Sequence, residues 1–311
     1  MITNNDIFIN LCSIGDFEKV KKMYETTKNI DISTKNELAF RLGCKYGHIK
    51  IAKWLFEIKS NINVSACDEF AFKHSCECGH WDVAQWLCQI KPCIDISSEN
   101  EYAFRLSCEK GHLKIAQWLL EIKPQINISV LNEYAFRKVC SNGHLKIASW
   151  LLEIKPNIDI SAEWEESFRL ACKYEHLDVA KWLIKIKPNI NISIWNEFVF
   201  VNACFSGHLQ VIKWLLKIKP DICVLEEYNE CFGIACEYGQ LKVAKLLINI
   251  IVNIIDINFN TYDKIKGFTK KTIKPIINIS TDNEYAFRQA CSNGHLDMVQ
   301  WLIKIKPEIN I

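Results

Sequence analysis

Residues 100–124 read NEYAFRLSCEKGHLKIAQWLLEIKP, and nearly the same words return from Asn132 and again from Asn283. The fold is decided by what one such stretch does and by why the chain repeats it. Glu101 to Glu109 is rich in helix formers, Gly111 can take the left-handed conformation that ends a helix, and a second helical run follows to about Ile122. Lys123-Pro124 stops that run, because proline lacks an N–H and disfavours helix in the residue before it. Wound at about 100° per residue, the second helix gathers Trp118, Ile122, Ile115, Leu119, His112, Ala116, Leu120 and Leu113 on an apolar arc of roughly 220°. Only Lys114, Gln117 and Glu121 are left for solvent. One hairpin of helices cannot cover so wide an arc, whereas a row of them can, each burying the face of the next.

The spacing says the same. The turn falls at Gly15, Gly47, Gly79, Gly111, Gly143, Glu175, Gly207, Gly239 and Gly294, 32 residues apart until the last step of 55. Histidine follows the turn at positions 48, 80, 112, 144, 176, 208 and 295, and tryptophan stands seven after it at 54, 86, 118, 150, 182, 214 and 301. The first copy has Asp16 and Lys22 at these places and the eighth has Gln240 and Leu246. We therefore expect a single all-α domain over residues 1–311, about nine repeats of 32 residues, each a stacked helix-turn-helix pair. Residues 250–278 form an insertion or a degenerate repeat between the eighth and ninth copies.

The turn and second helix, GHLKIAQWLLEIKPQIN at 111–127, resemble the ankyrin repeat: Gly-His, paired aliphatics, Leu-Leu and a terminal Asn. Three departures stand beside the likeness. Forms of EYAFR replace the family's Thr-Pro-Leu-His opening, Lys-Pro replaces the glycine after the second helix, and the period is one residue short. Such variants, with this Ile/Asn/Lys-rich vocabulary, resemble the ankyrin proteins of mimivirus-like giant DNA viruses. The resemblance implies a solenoid with hairpin-like loops, a concave surface of loop tips and first helices that grips another protein, and action in a eukaryotic host cell.

Composition narrows the remaining classes. With 49% hydrophobic and 24% charged residues the chain can bury a core, and its net charge of +2 gives no overall field towards nucleic acid or anionic lipid. Met1 to Asp6 has no signal-peptide pattern and the most apolar stretch, 248–255, is short and broken by asparagines, so we expect an intracellular protein without membrane contact, in cytoplasm or nucleus. Nine of the fifteen cysteines stand three residues before the turn, which fits one small buried site repeated better than pairing.

Candidate chemistry is sparse. HSCECGH at 74–80 crowds four possible zinc ligands, but on a helix His74, Cys76 and Cys78 point about 200° apart in succession and do not converge. The turn histidines have no nucleophile and orienting carboxylate beside them, and a ring nitrogen bonded to a neighbouring loop carbonyl explains them. Arg41, Lys73, Arg105, Arg137, Arg169 and Arg288 each follow a glutamate by four, at positions 37, 69, 101, 133, 165 and 284, which predicts an ion-pair spine rather than a phosphate site. We expect no enzyme, no metal and no cofactor.

Partner contacts are expected where copies differ. Val130, Leu131, Trp164, Ile194 and Trp195 put apolar and aromatic side chains on three successive tips, and the first-helix positions Leu106, Lys138 and Leu170 vary beside them. The alternative reading is a nucleic-acid binder using the lysine-rich segment 264–274. The ninth copy ends in template form at Trp301, Leu302 and Ile303, which leaves a face open to self-association.

Overall fold

The computed structural model describes residues 2–220, 225–250 and 281–306, with the backbone alone at 194–197, 225–229 and 281–283. The described helices fall into pairs. These are α1 (Asn4–Ile14) with α2 (Phe17–Thr26), α3 (Thr34–Lys45) with α4 (Ile49–Ile58), α5 (Ala66–Glu77) with α6 (Trp81–Ile90), α7 (Ser98–Glu109) with α8 (Leu113–Ile122), and α9 (Val130–Ser141) with α10 (Leu145–Ile154). They continue as α11 (Ala162–Lys173) with α12 (Leu177–Ile186), α13 (Ile194–Ser206) with α14 (Leu209–Ile218), α15 (Leu225–Glu237) with α16 (241–250), and α17 (Thr281–Ser292) with α18 (Leu296–Ile305). No strand occurs among the described residues, so the fold is an all-α repeat solenoid. The chain divides into two compact units, Met1–Glu163 and Trp164–Ile311. In each, first helices pack on first helices: α1 on α3, α3 on α5, α5 on α7 and α7 on α9 in one, α13 on α15 and α15 on α17 in the other.

Stacking rests on two recurring contacts. Trp86, Trp118 and Trp150 set their rings against Phe40, Phe72 and Phe104 of the preceding pair, with centroids 6.1, 6.4 and 6.4 Å apart, and Trp214 and Trp301 do the same to Phe168 and Phe232. These phenylalanines are fully buried or nearly so, which stabilises the stack by roughly 1.5–3 kcal/mol each. The second contact lies at the turns. His48 Nε2 is 3.0 Å from the carbonyl oxygen of Ser13, His208 Nε2 2.9 Å from that of Lys173, and His295 Nε2 2.9 Å from that of Glu237. A carbonyl only accepts, so Nε2 carries the proton in each. Each histidine thus donates to the turn of the pair before it.

The same rings explain the glycines. A Cβ on Gly47, whose φ is +77°, would stand 2.4 Å from His80 Nδ1. Glu175 takes the turn conformation at φ 63° without being glycine and sets its Oε2 3.3 Å from His208 Nδ1.

Cys12, Cys44, Cys76, Cys108, Cys140, Cys172, Cys204 and Cys236 are all completely buried, whereas Cys291, the same position in the ninth pair, is exposed. The eighth and ninth pairs are nonetheless direct neighbours. Tyr285 donates from its hydroxyl to Glu237 Oε2 at 2.9 Å, and the Nδ2 of Asn293 donates to the Glu237 carbonyl at 2.9 Å. Of the segment 250–278, all but Ile250 lies outside the described residues, and with it the choice between insertion and degenerate repeat and the lysines at 264–274.

One expectation fails. Glu101 does not belong to a right-handed helix: Glu99, Asn100 and Glu101 have φ of 53°, 56° and 60°, a full left-handed turn ahead of the regular helix. The turn recurs at 35–37, 67–69, 131–133 and 163–165. The glutamate therefore does not lie one helical turn before the arginine, and among the described contacts of Arg41, Lys73 and Arg105 the predicted pairing with the glutamate four residues earlier does not occur. Arg105 instead donates from Nε to the Asn100 carbonyl at 2.7 Å and from Nη2 to the Glu99 carbonyl at 3.1 Å. Arg41 and Arg137 repeat both bonds, and Arg169 donates from Nε to the Trp164 carbonyl at 2.7 Å.

Candidate loop-tip surface

Each tip is built in three steps. First, an Asn or Asp side chain accepts from the backbone N–H two residues on, as Asp95 does from Ser97 at 3.1 Å and Asn127 from Ser129 at 3.1 Å, a local bond that turns the chain. Next, the serine hydroxyl donates to the buried glutamate four residues on, Ser97 to Glu101 at 2.6 Å. That carboxylate also accepts from the backbone of the next tip: Asn127 N–H to Glu101 at 3.3 Å, Asp159 to Glu133 at 3.5 Å, and Asn191 to Glu165 at 3.4 Å. Finally, where the first helix carries arginine, at 41, 105, 137 and 169, the guanidinium binds carbonyl oxygen of the left-handed turn. The glutamate thus couples neighbouring tips, and the arginine fixes the turn that displays its outer residues.

Those outer residues are the ones singled out from sequence. In the first unit Leu131, at φ 56°, is 48% exposed, and in the second Trp164, at φ 58°, is 67% exposed. Val130 is half-buried. The side chains of Ile194 and Trp195 lie outside the described residues. On the first helices, Leu170 and Lys138 are half-buried, with the Lys138 ammonium 5.7 Å from the centre of the Tyr134 ring and its pKa lowered, chiefly by burial. Leu106 is 8% exposed and belongs to the core, which corrects its assignment as a contact residue.

Two features of this side were not foreseen. His74 Nδ1 lies 2.6 Å from Glu77 Oε2, and the Tyr102 hydroxyl donates to the same oxygen at 3.0 Å. Burial lowers the His74 pKa, with Glu77 opposing, and raises that of Tyr102 well above its usual value, with Glu77 adding. So His74 turns to a carboxylate and a tyrosine rather than to the cysteines beside it in sequence, and Cys76 points into the core. Among the described residues no group of His, Cys, Asp and Glu could hold a metal ion. The second feature is a set of exposed aromatics at the C-terminal ends of first helices in the second unit: Tyr174 at 52%, Phe205 at 42% and Tyr238 at 44%. The rings of Phe205 and Tyr238 are 4.2 Å apart. No described helix is long and apolar enough to cross a membrane.

The comparisons agree with this geometry. No curated protein matches the chain. The family model for ankyrin repeats (3 copies) matches residues 40–132, 108–194, 168–261 and 200–311, nearly the whole length. With helix pairs inside each unit stacked through turn histidines and second-helix tryptophans, and the family model matching nearly the whole length, the chain belongs to the ankyrin repeat family.

Proposed function

We propose that this chain is a non-enzymatic scaffold that binds another protein through its loop tips and first helices. Ankyrin repeats are generally protein-interaction modules, and one observation supports the reading here. Leu131 and Trp164 hold large apolar side chains in water on turns whose backbones are bonded to Arg137 and Arg169. A rigidly held aromatic loses little freedom on docking, so its burial converts well into affinity. Trp195 and Ile194 complete the set in this reading, and the ninth pair, with Cys291 exposed, offers a face for self-association. Intracellular action on host factors, by a protein of giant-virus type, belongs to the same reading and rests on the repeat vocabulary.

The test is capture of a partner from host-cell lysate by the full chain and by the double variant Trp164→Ala, Trp195→Ala. Loss of a specific partner with an unchanged melting curve supports the proposal. Unchanged capture by the variant sinks it.

A further inference from the structure

A net charge near zero hides a sorted distribution. The second helices of the first unit from α4 to α10 carry Lys50, Lys53, Lys114 and Lys146 against Glu57, Asp82, Glu121 and Glu153, and balance. In the second unit, α12, α14 and α16 carry Lys181, Lys185, Lys213, Lys217, Lys242 and Lys245 against Asp178 alone. All six lysines are exposed. None has an ion-pair partner among the described residues; Lys245 Nζ lies 5.8 Å from the centre of the Trp301 ring.

The register orders them. Lys181, Lys213 and Lys245 occupy one template position, and Lys185 and Lys217 the position one helical turn further on the same face. Their helix pairs are direct neighbours, since His208 bonds the Lys173 carbonyl and Gln240 Nε2 donates to the Phe205 carbonyl at 3.3 Å. Packing does not demand lysine there. The same positions in the first unit hold Lys53, Gln85, Gln117 and Ser149, and Glu57, Gln89, Glu121 and Glu153, on helices buried in the same way. What repeats across α12, α14 and α16 is therefore charge and not shape, whereas α18 of the same unit has Gln300 and Lys304 at these two positions and adds Asp297.

We propose that this face binds the sugar-phosphate backbone of a nucleic-acid duplex without reading its sequence. Ranks of lysine on rigid, stacked helices meet a polyanion of regular charge, and counterion release supplies the affinity. Duplex is favoured over single strand because, among the described residues, α12, α14 and α16 carry no exposed aromatic ring on which bases would stack, Tyr174, Phe205 and Tyr238 standing at the ends of the first helices. An anionic bilayer is disfavoured because the apolar sides of these helices, Val179, Leu183, Val211, Leu215, Val243 and Leu247, are buried in the stack and cannot enter the acyl region. The proposal is independent of the loop-tip reading, which concerns other residues.

The experiment titrates the full chain with a mixed-sequence DNA duplex of about 20 base pairs across a salt series. Engagement of five or so phosphates predicts a slope of log affinity against log salt of about −4. Lys213→Glu with Lys217→Glu is expected to weaken binding about ten-fold or more and to shallow the slope by about 2. Lys114→Glu with Lys146→Glu makes the same charge change in the first unit and is expected to leave binding within about two-fold, as is glutamine at Lys264, Lys266, Lys270, Lys271 and Lys274. On the unmodified chain, duplex is expected to protect Lys181, Lys213 and Lys245 from acetylation, an arm that needs no variant to fold. The proposal is overturned by no duplex binding at low salt, by equal losses in all three variants, by no protection, or by capture on phosphatidylserine vesicles but not by duplex.

Discussion

Arg105 reaches back five residues to place its Nε 2.7 Å from the carbonyl oxygen of Asn100, in the middle of a left-handed turn. Left-handed backbone costs a non-glycine residue about 1–2 kcal/mol, and here three follow one another. The guanidinium offsets that strain by binding two carbonyls with one planar group. Arg105→Ala is therefore expected to destabilise the chain by about 2–4 kcal/mol in urea unfolding, and Arg105→Lys to recover less than half, because an ammonium lacks the fork. Lys73, at the equivalent place in the third pair, bonds Glu99 of the next tip instead.

The converse test lies on the strained residues. Leu131 has φ 56° and an exposed side chain, so Leu131→Gly removes strain and little packing. Its expected effect is a gain of about 0.5–1 kcal/mol, read as a higher denaturant midpoint with an unchanged slope. A loss of similar size would show that the leucine packs on its own repeat.

What could be read from the sequence divides along physical lines. Helix pairs, turn glycines and the tryptophan and histidine ladders were legible because each is fixed by local chemistry and a strict period. The left-handed turn was not: Glu99, Asn100 and Glu101 are ordinary helix-start residues, and what holds them is a bond from Arg105 across the turn. The placement of Glu101 one helical turn before Arg105 was misread for the same reason, since it assumed right-handed winding through Glu101. At the tips, Leu131 and Trp164 stand exposed on turns whose polar neighbours are visible in the sequence, but the burial of Leu106 depends on neighbouring helices and leaves no trace in one repeat.

The turn glycines give an internal control. At Gly47 an alanine Cβ meets both the φ of +77° and His80 at 2.4 Å, whereas at Gly294, φ +75°, nothing lies within 4 Å. Gly47→Ala is expected to cost about 2–4 kcal/mol and Gly294→Ala only the conformational part, about 1 kcal/mol. Equal costs at the two sites, measured by thermal or urea unfolding, would mean that the histidine is not what closes the turn.

Inside the stack, Trp118→Ala removes the ring that packs on Phe72 and is expected to cost roughly 3–5 kcal/mol. Cys108 is fully buried in the stack, so Cys108→Leu should cost about 1–3 kcal/mol through crowding. Near-neutral values at both would place these residues outside the interface between pairs.

The buried thiols are expected to make stability fall at alkaline pH. Burial alone pushes Cys12 and Cys236 up to about 12, because a thiolate in the apolar stack would lose its hydration. In the unfolded chain a thiol titrates near its ordinary value of about 8.5. The folded pKa is thus the higher one, so the folded state binds more protons above about pH 8.5. The stabilisation is complete below that pH and is lost as pH rises towards about 12, by up to about 1.4 kcal/mol per pH unit for each such thiol. Urea midpoints should accordingly be flat from about pH 6 to 8 and drop steeply by about pH 10, and Cys12→Ala with Cys236→Ala should shallow the drop. A thiol reagent at neutral pH should label Cys67, Cys93 and Cys291, all exposed, at once, and the buried set only as fast as the stack opens. Rapid labelling of Cys108 or Cys140 in the folded chain would contradict their burial, and a midpoint unchanged to about pH 10 would show that the thiols do not govern the alkaline limit.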